Sequence, residues 1–185
     1  MEQSIIIAGF GGQGVLSAGI ILANAFMLED KHVTWYPCYG AEMRGGAVNC
    51  EIVVSEEEVT SVHKKETDFL ITLNDLSFNK FLPKVKKGGT VIANSSLIKE
   101  QYPRNDVKYI FSEITDTARE LGNVKAANMA ALGILCGVCR LADIGGVKKA
   151  IDRVLNSGKP ELKELNYRVL SAGYESVKQH ESVKL

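Results

Sequence analysis

Residues 4–16 read Ser4-Ile5-Ile6-Ile7-Ala8-Gly9-Phe10-Gly11-Gly12-Gln13-Gly14-Val15-Leu16, and this stretch decides the fold. Ser4–Ala8 is a short β-rich apolar run of the kind a buried strand requires. Four glycines then break it within six residues, at Gly9, Gly11, Gly12 and Gly14. Beyond them Leu16, Gly19-Ile20, Ala23 and Phe26-Met27 recur at helical spacing over Val15–Leu28. The opening unit is therefore strand, glycine loop, helix. Gly9, Gly11 and Gly14 satisfy Gly-x-Gly-x-x-Gly in the context that gives the pattern its meaning. Glycines allow the tight turn and a close backbone approach, and the helix start aims free N–H groups at an anion. A tight turn with no ligand is the alternative.

Working outward, Val33–Tyr36 reads as a second strand closed by Pro37, and Ala47–Val54 as a third. Between them lies Cys38-Tyr39-Gly40-Ala41-Glu42-Met43-Arg44-Gly45-Gly46, too irregular for an element and too rich in chemistry for a linker. Ser55–Lys65 is a charged connection. Strands follow at Phe69–Leu73, Thr90–Ala93 after a Gly88-Gly89 turn, and Val107–Phe111, with a short helix over Leu76–Phe81. Ser112 is placed to cap a helix running to Leu121. The remainder reads as helical: Lys125–Leu141, Val147–Leu155 and a last helix opened by Pro160. Alternating strands and helices imply a three-layer α/β/α, Rossmann-like fold with a mostly parallel sheet. The third strand follows the second without a helix, so it is expected antiparallel and the sheet mixed. The C-terminal third is helical. No repeat or linker divides the chain, so residues 1–185 are expected to form a single domain.

The 22 Lys+Arg balance 22 Asp+Glu, so the basic footprint of a nucleic-acid binder is missing. The short basic runs at Lys84, Lys86-Lys87 and Lys148-Lys149 read as solvated faces. No apolar run approaches the roughly 20 residues of a membrane span, and Met1-Glu2-Gln3-Ser4 lacks a basic leader region. A cytoplasmic protein is expected. At 185 residues the chain buries ~70% of its unfolded surface, enough for a core without staples. Its four cysteines form no framework: Cys38 and Cys50 stand apart, and Cys136 and Cys139 make an isolated Cys-x-x-Cys. His32, His63 and His180 are scattered singly. Core packing is the favoured reading of the Cys136/Cys139 pair over a redox or metal role. Ser17, Asp30 and His32 lie close in sequence, but nothing places them as a catalytic triad.

An anion site at the first loop raises the question of its owner. Dinucleotide binders carry an acid at the end of the second strand to hold the ribose. Here that strand ends in Tyr36-Pro37, so NAD and FAD are disfavoured while other pyrophosphate ligands are not. Arg44, followed by Gly45-Gly46, offers an open planar fork of donors for a phosphate. An ion pair with Glu42 is its structural alternative. Both loops follow strands, so they are placed to converge on one edge of the sheet.

At these two loops the sequence resembles the gamma subunit of the 2-oxoacid:ferredoxin oxidoreductases. The matching words are Gly9-Phe10-Gly11-Gly12-Gln13-Gly14-Val15-Leu16 and Tyr39-Gly40-Ala41-Glu42-Met43-Arg44-Gly45-Gly46, with Asn49-Cys50 beyond. The helix containing Lys125-Ala126-Ala127-Asn128-Met129 also fits, and the resemblance covers essentially the whole chain. It implies a part of an enzyme that converts a 2-oxo acid and coenzyme A to acyl-CoA, carbon dioxide and reduced ferredoxin. Thiamine diphosphate with Mg and the iron–sulfur clusters are then expected on partner chains: alpha, beta and a ferredoxin-like delta subunit, with ferredoxin as acceptor. By position, Gly11, Gly12, Gln13 and Gly14 would face the CoA diphosphate, with Gly9 also among the cofactor-binding residues, Arg44 would meet a CoA phosphate, and Asn128 would hydrogen-bond the cofactor. The wording around Glu42–Gly46 looks more like the 2-oxoglutarate or ketoisovalerate branch than the indolepyruvate one. A stand-alone nucleotide-binding or regulatory module is the alternative.

Overall fold

The computed structural model describes residues 2–38, 47–139, 141–155 and 159–181. Six strands are present among them: β1 (Gln3–Phe10), β2 (His32–Cys38), β3 (Ala47–Ser55), β4 (Thr67–Thr72), β5 (Val85–Asn94) and β6 (Lys108–Ser112). Six helices accompany them: α1 (Val15–Leu28), α2 (Asp75–Phe81), α3 (Ile114–Glu120), α4 (Ala127–Cys139), α5 (Ile144–Leu155) and α6 (Pro160–Glu181). Single 3-10 turns follow α2 at Leu82–Lys84 and precede α4 at Val124–Ala126.

The strands lie in the order β2-β3-β1-β4-β5-β6. β3 pairs antiparallel with both β1 and β2, while β1–β4, β4–β5 and β5–β6 are parallel. The mixed sheet follows from connection length: no helix separates β2 from β3, and a parallel pairing needs a crossover. β1 is buried from Ser4 to Gly9, as its uninterrupted apolar run requires of a strand covered on both faces. Alternate residues serve the two sides. Ile5 and Ile7 join Cys50, Ile52 and Val54 against α1, α4 and α5, whereas Ile6 and Ala8 join Leu70, Val91 and Ala93 against α2. Phe26 and Phe78 anchor the two layers, each fully buried and each stabilising by about 2–3 kcal/mol.

The helical layer over the first face is built on small residues. α4 and α6 approach so closely that a Cβ on Gly133 would lie 2.0 Å from the Leu170 carbonyl oxygen. A Cβ on Gly173 would lie 2.1 Å from that of Ala130. No side chain fits either position.

Several local expectations need correction. Ser112 ends β6 and caps nothing, and α3 has no local side-chain cap. Its first N–H groups are instead received from across the sheet, Thr115 N by Asn94 Oδ1 at 3.2 Å and Asp116 N by Ser96 Oγ at 3.1 Å. The Lys125–Leu141 helix begins as a 3-10 turn and its α-helical part ends at Cys139. Gly88-Gly89 does not end a turn before a strand but lies inside a longer β5. There the register against β4 shifts and Gly88 takes φ +79°. Lys84 and Lys86 are not simply solvated: Lys84 reaches the buried Glu51 at 3.5 Å, and Lys86 pairs with Asp68. Glu51 also meets His63 Nδ1 at 2.6 Å.

Candidate functional site

β1 and β4 lie side by side and parallel, yet the chain leaves their ends in opposite directions. After β1 it passes through α1 on one face toward β2; after β4 it passes through α2 on the other toward β5. The crevice between these carboxyl ends is where an open α/β sheet receives ligands. Its floor is the glycine loop on one side and Leu73-Asn74-Asp75 on the other.

Gly14 is the N-cap of α1, in the left-handed region at φ 73°, and no side chain caps the helix there. The first-turn N–H groups of α1 therefore face the crevice with the positive end of the helix dipole behind them. Gly12 has φ +91°, and a Cβ on it would meet nothing within 4 Å. Gly11 and Gly12 are both exposed. The loop is open where an anion would approach.

Its remaining members are committed to the protein. Gln13 Oε1 accepts from Phe10 N at 2.6 Å and from Asn74 Nδ2 at 3.0 Å, while Nε2 donates to Leu73 O at 3.2 Å. A Cβ on Gly9 would lie 2.7 Å from Gln13 Oε1 and 3.1 Å from Leu73 Cβ, so Gly9 leaves room for that amide. Asn128, 5% exposed, donates from Nδ2 to Gly14 O at 3.1 Å and brings the start of α4 against the start of α1. Asn74 and Asn94 are polar floor residues that the sequence reading passed over. Asn74 caps α2 through Ser77 N at 2.9 Å, and Asn94 donates to Leu73 O at 3.1 Å. The signal available for Asn74 was an asparagine two residues before the helix expected at Leu76–Phe81, which begins one residue earlier, at Asp75.

Arg44, with its neighbours Glu42, Gly45 and Gly46, lies outside the described residues. β2 and β1 run the same way on either side of β3, with Cys38 opposite Asn49 and Phe10 opposite Ala47. The end of β2 and the start of β3 thus lie at the edge of the sheet that holds the glycine loop. The same topology explains the missing ribose acid. The place beside β1 that a parallel strand end fills in a dinucleotide fold is taken here by the start of antiparallel β3.

Cys50, Cys136 and Cys139 behave as small core residues. Burial pushes the thiols of Cys50 and Cys136 up to about 12 and that of Cys139 to about 11. Cys139 Sγ donates to Leu135 O at 2.9 Å. Among the described residues no three His, Cys, Asp or Glu side chains are grouped to hold a metal. Nor is any described helix long and apolar enough to cross a membrane. A cavity of about 1300 Å³ follows β6, lined by residues such as Tyr109, Phe111 and Val138, and contains no glycine-loop residue.

Known proteins share this architecture. The ketoisovalerate oxidoreductase subunit VorA of Methanothermobacter marburgensis is 38% identical over 174 residues, which are 93% of this chain and 36% of that one. The chain thus spans about a third of the length of that relative. The gamma subunit of a keto/oxoacid ferredoxin oxidoreductase from Geobacter sulfurreducens matches over 95% of both chains, with 28% identity and a TM-score of 0.83. A 2-oxoglutarate:ferredoxin oxidoreductase from Magnetococcus marinus, solved with 2-oxoglutarate, coenzyme A and succinyl-CoA bound, has the same fold. Its TM-score is 0.87 at 20% identity, over 96% of this chain and 31% of that one. The family model for pyruvate ferredoxin/flavodoxin oxidoreductase matches residues 4–176, and the chain belongs to that family.

Proposed function

We propose that this chain is the coenzyme-A-handling gamma subunit of a hetero-oligomeric 2-oxoacid:ferredoxin oxidoreductase. The observation that carries the reading is the uncapped first turn of α1 behind an open Gly11-Gly12 at the β1/β4 crevice. That arrangement fits a diphosphate, since backbone N–H groups and the helix dipole favour an anion without a side-chain charge. In this reading Gly11, Gly12 and Gly14 receive the CoA diphosphate, Arg44 meets a CoA phosphate, and Gly9, Gln13 and Asn128 hold the loop in shape. Coenzyme A supplies the thiol that takes up the acyl group, and this chain binds and orients it. Thiamine diphosphate, Mg and the iron–sulfur clusters belong to alpha, beta and delta partners, with ferredoxin receiving the electrons. The substrate is a 2-oxo acid of the 2-oxoglutarate or ketoisovalerate kind, and the setting is cytoplasmic. Residues 1–185 act as one domain.

Exposed apolar side chains support a site shared with a partner. Phe10 at the end of β1, Leu76 at the start of α2, Leu97 beyond β5 and Val124 before α4 are each 40–50% exposed. All four ring the carboxyl edge of the sheet. Their burial under a second chain would both seal the crevice from water and provide the contact.

The test is reconstitution. Activity is expected only when this chain is combined with alpha and beta, and Arg44→Ala is expected to raise the KM for coenzyme A about tenfold, the cost of a lost charged hydrogen bond. The KM for the oxo acid should stay unchanged. Full activity without the chain would overturn the reading, as would tight NAD or ATP binding with no response to coenzyme A.

A further inference from the structure

Gln13 has little left to offer a ligand. Its carbonyl oxygen has two lone pairs, and both are taken, by Phe10 N within the loop and by Asn74 Nδ2 from beyond β4. One amide proton goes to Leu73 O. Leu73 and Asn74 lie 60 and 61 residues away in sequence, on the opposite wall of the crevice. Asn74 in turn spends Oδ1 on the first turn of α2, and Leu73 O also accepts from Asn94 at the end of β5. The glycine loop is thereby joined through one side chain to the ends of β4 and β5.

We infer that Gln13 is a positioning residue, a clip that fixes the glycine loop to the β4–α2 turn and so sets the direction of the N–H groups at Gly12–Val15. Two features of the sequence then acquire one cause. Gly9 is a glycine because the Gln13 amide lies over its Cα, where a Cβ would be 2.7 Å from Oε1. Asn74 is an asparagine because it must accept from Ser77 N on one side and donate to Gln13 on the other. Aspartate accepts equally well but cannot donate. A loop with four glycines in six residues has many conformations to lose on binding. A clip that removes them beforehand raises affinity without touching the ligand.

The inference rests on the proposed anion role of the loop, and the experiment separates the two. In the assembled complex, coenzyme A affinity and steady-state constants would be measured for Gln13→Ala, Asn74→Asp, their combination, and Gly12→Val. Gln13→Ala is expected to weaken coenzyme A about tenfold, from the loss of its two hydrogen bonds across the crevice, with kcat and the oxo-acid KM unchanged. Asn74→Asp keeps the cap on α2, so the fold is expected to hold, and should weaken coenzyme A about fivefold. The double variant should bind no worse than Gln13→Ala alone, because both changes remove one clip. Additive losses, or an effect of Gln13→Ala with none from Asn74→Asp, would place Gln13 on the ligand and overturn the inference. A loss in Gly12→Val with none in either clip variant would overturn the inference while leaving the loop its role. No loss in any variant would overturn the proposed function itself.

Discussion

Two parts of this molecule are built from glycine, and they use it in opposite ways. In the α4–α6 contact, Gly133 and Gly173 are glycines because backbone occupies the place of the side chain, 2.0 and 2.1 Å from where Cβ would be. In the loop after β1, Gly12 faces empty space and is a glycine because of its φ of +91°. The first set closes a core; the second leaves a loop open to solvent. Glycine content alone does not distinguish structure from function. What a Cβ would meet does.

The largest effect should come at the closed contact. Gly133→Leu must push α6 off α4, and overpacking of this kind costs on the order of 3 kcal/mol. The urea midpoint should fall sharply, or the chain should fail to accumulate as folded protein. Near-wild-type stability would show that the helices have room to part, and the contrast with the loop would collapse. An intermediate effect is expected at the open position. Gly12→Ala strains a left-handed backbone by about 1 kcal/mol and disturbs no packing. Stability should drop slightly while the KM for coenzyme A in the assembled complex rises about fivefold, the equivalent of one displaced hydrogen bond. A change in stability with no change in KM would make Gly12 a turn residue only.

The smallest effect concerns pH and again contrasts a closed region with an open one. The thiols of Cys50, Cys136 and Cys139 are held well above the ordinary value near 9 because burial disfavours the thiolate. Unfolding lets them ionise, so their contribution is complete below about 9 and is lost as pH rises toward 11 or 12. Urea midpoints should fall across that interval, and Cys136→Ala should lower the whole curve but flatten its alkaline side. An unchanged slope would mean that burial does not shield the thiol in the folded chain.

Much of the fold was legible from local pattern. The alternation of strand and helix, the antiparallel β3 and the glycine loop all rest on periodicity and connection length, which act within a few residues. Pro160 opens α6 as its fixed φ suggests. Ser112 misled for an instructive reason. Serine before a helix is a good cap in isolation, but Asn94 at the end of β5 and Ser96 in the turn after it already reach the start of α3, and Ser112 is needed in β6. The site was half legible. Gly9, Gly11 and Gly14 were marked by spacing, whereas the separate tasks of Gly9 and Gln13 depend on Leu73 and Asn74.

The sequence by itself determined which segments form strands and helices and where the glycine loop leaves the start of α1 without a side-chain cap, because turn chemistry and hydrophobic period are written locally. Tertiary structure alone decided that β3 lies between β2 and β1, that the crevice falls between β1 and β4, and that Gln13 finds its partners 60 and 61 residues away. Strand order is settled by how all the apolar faces are buried at once, and no short stretch of sequence carries that sum.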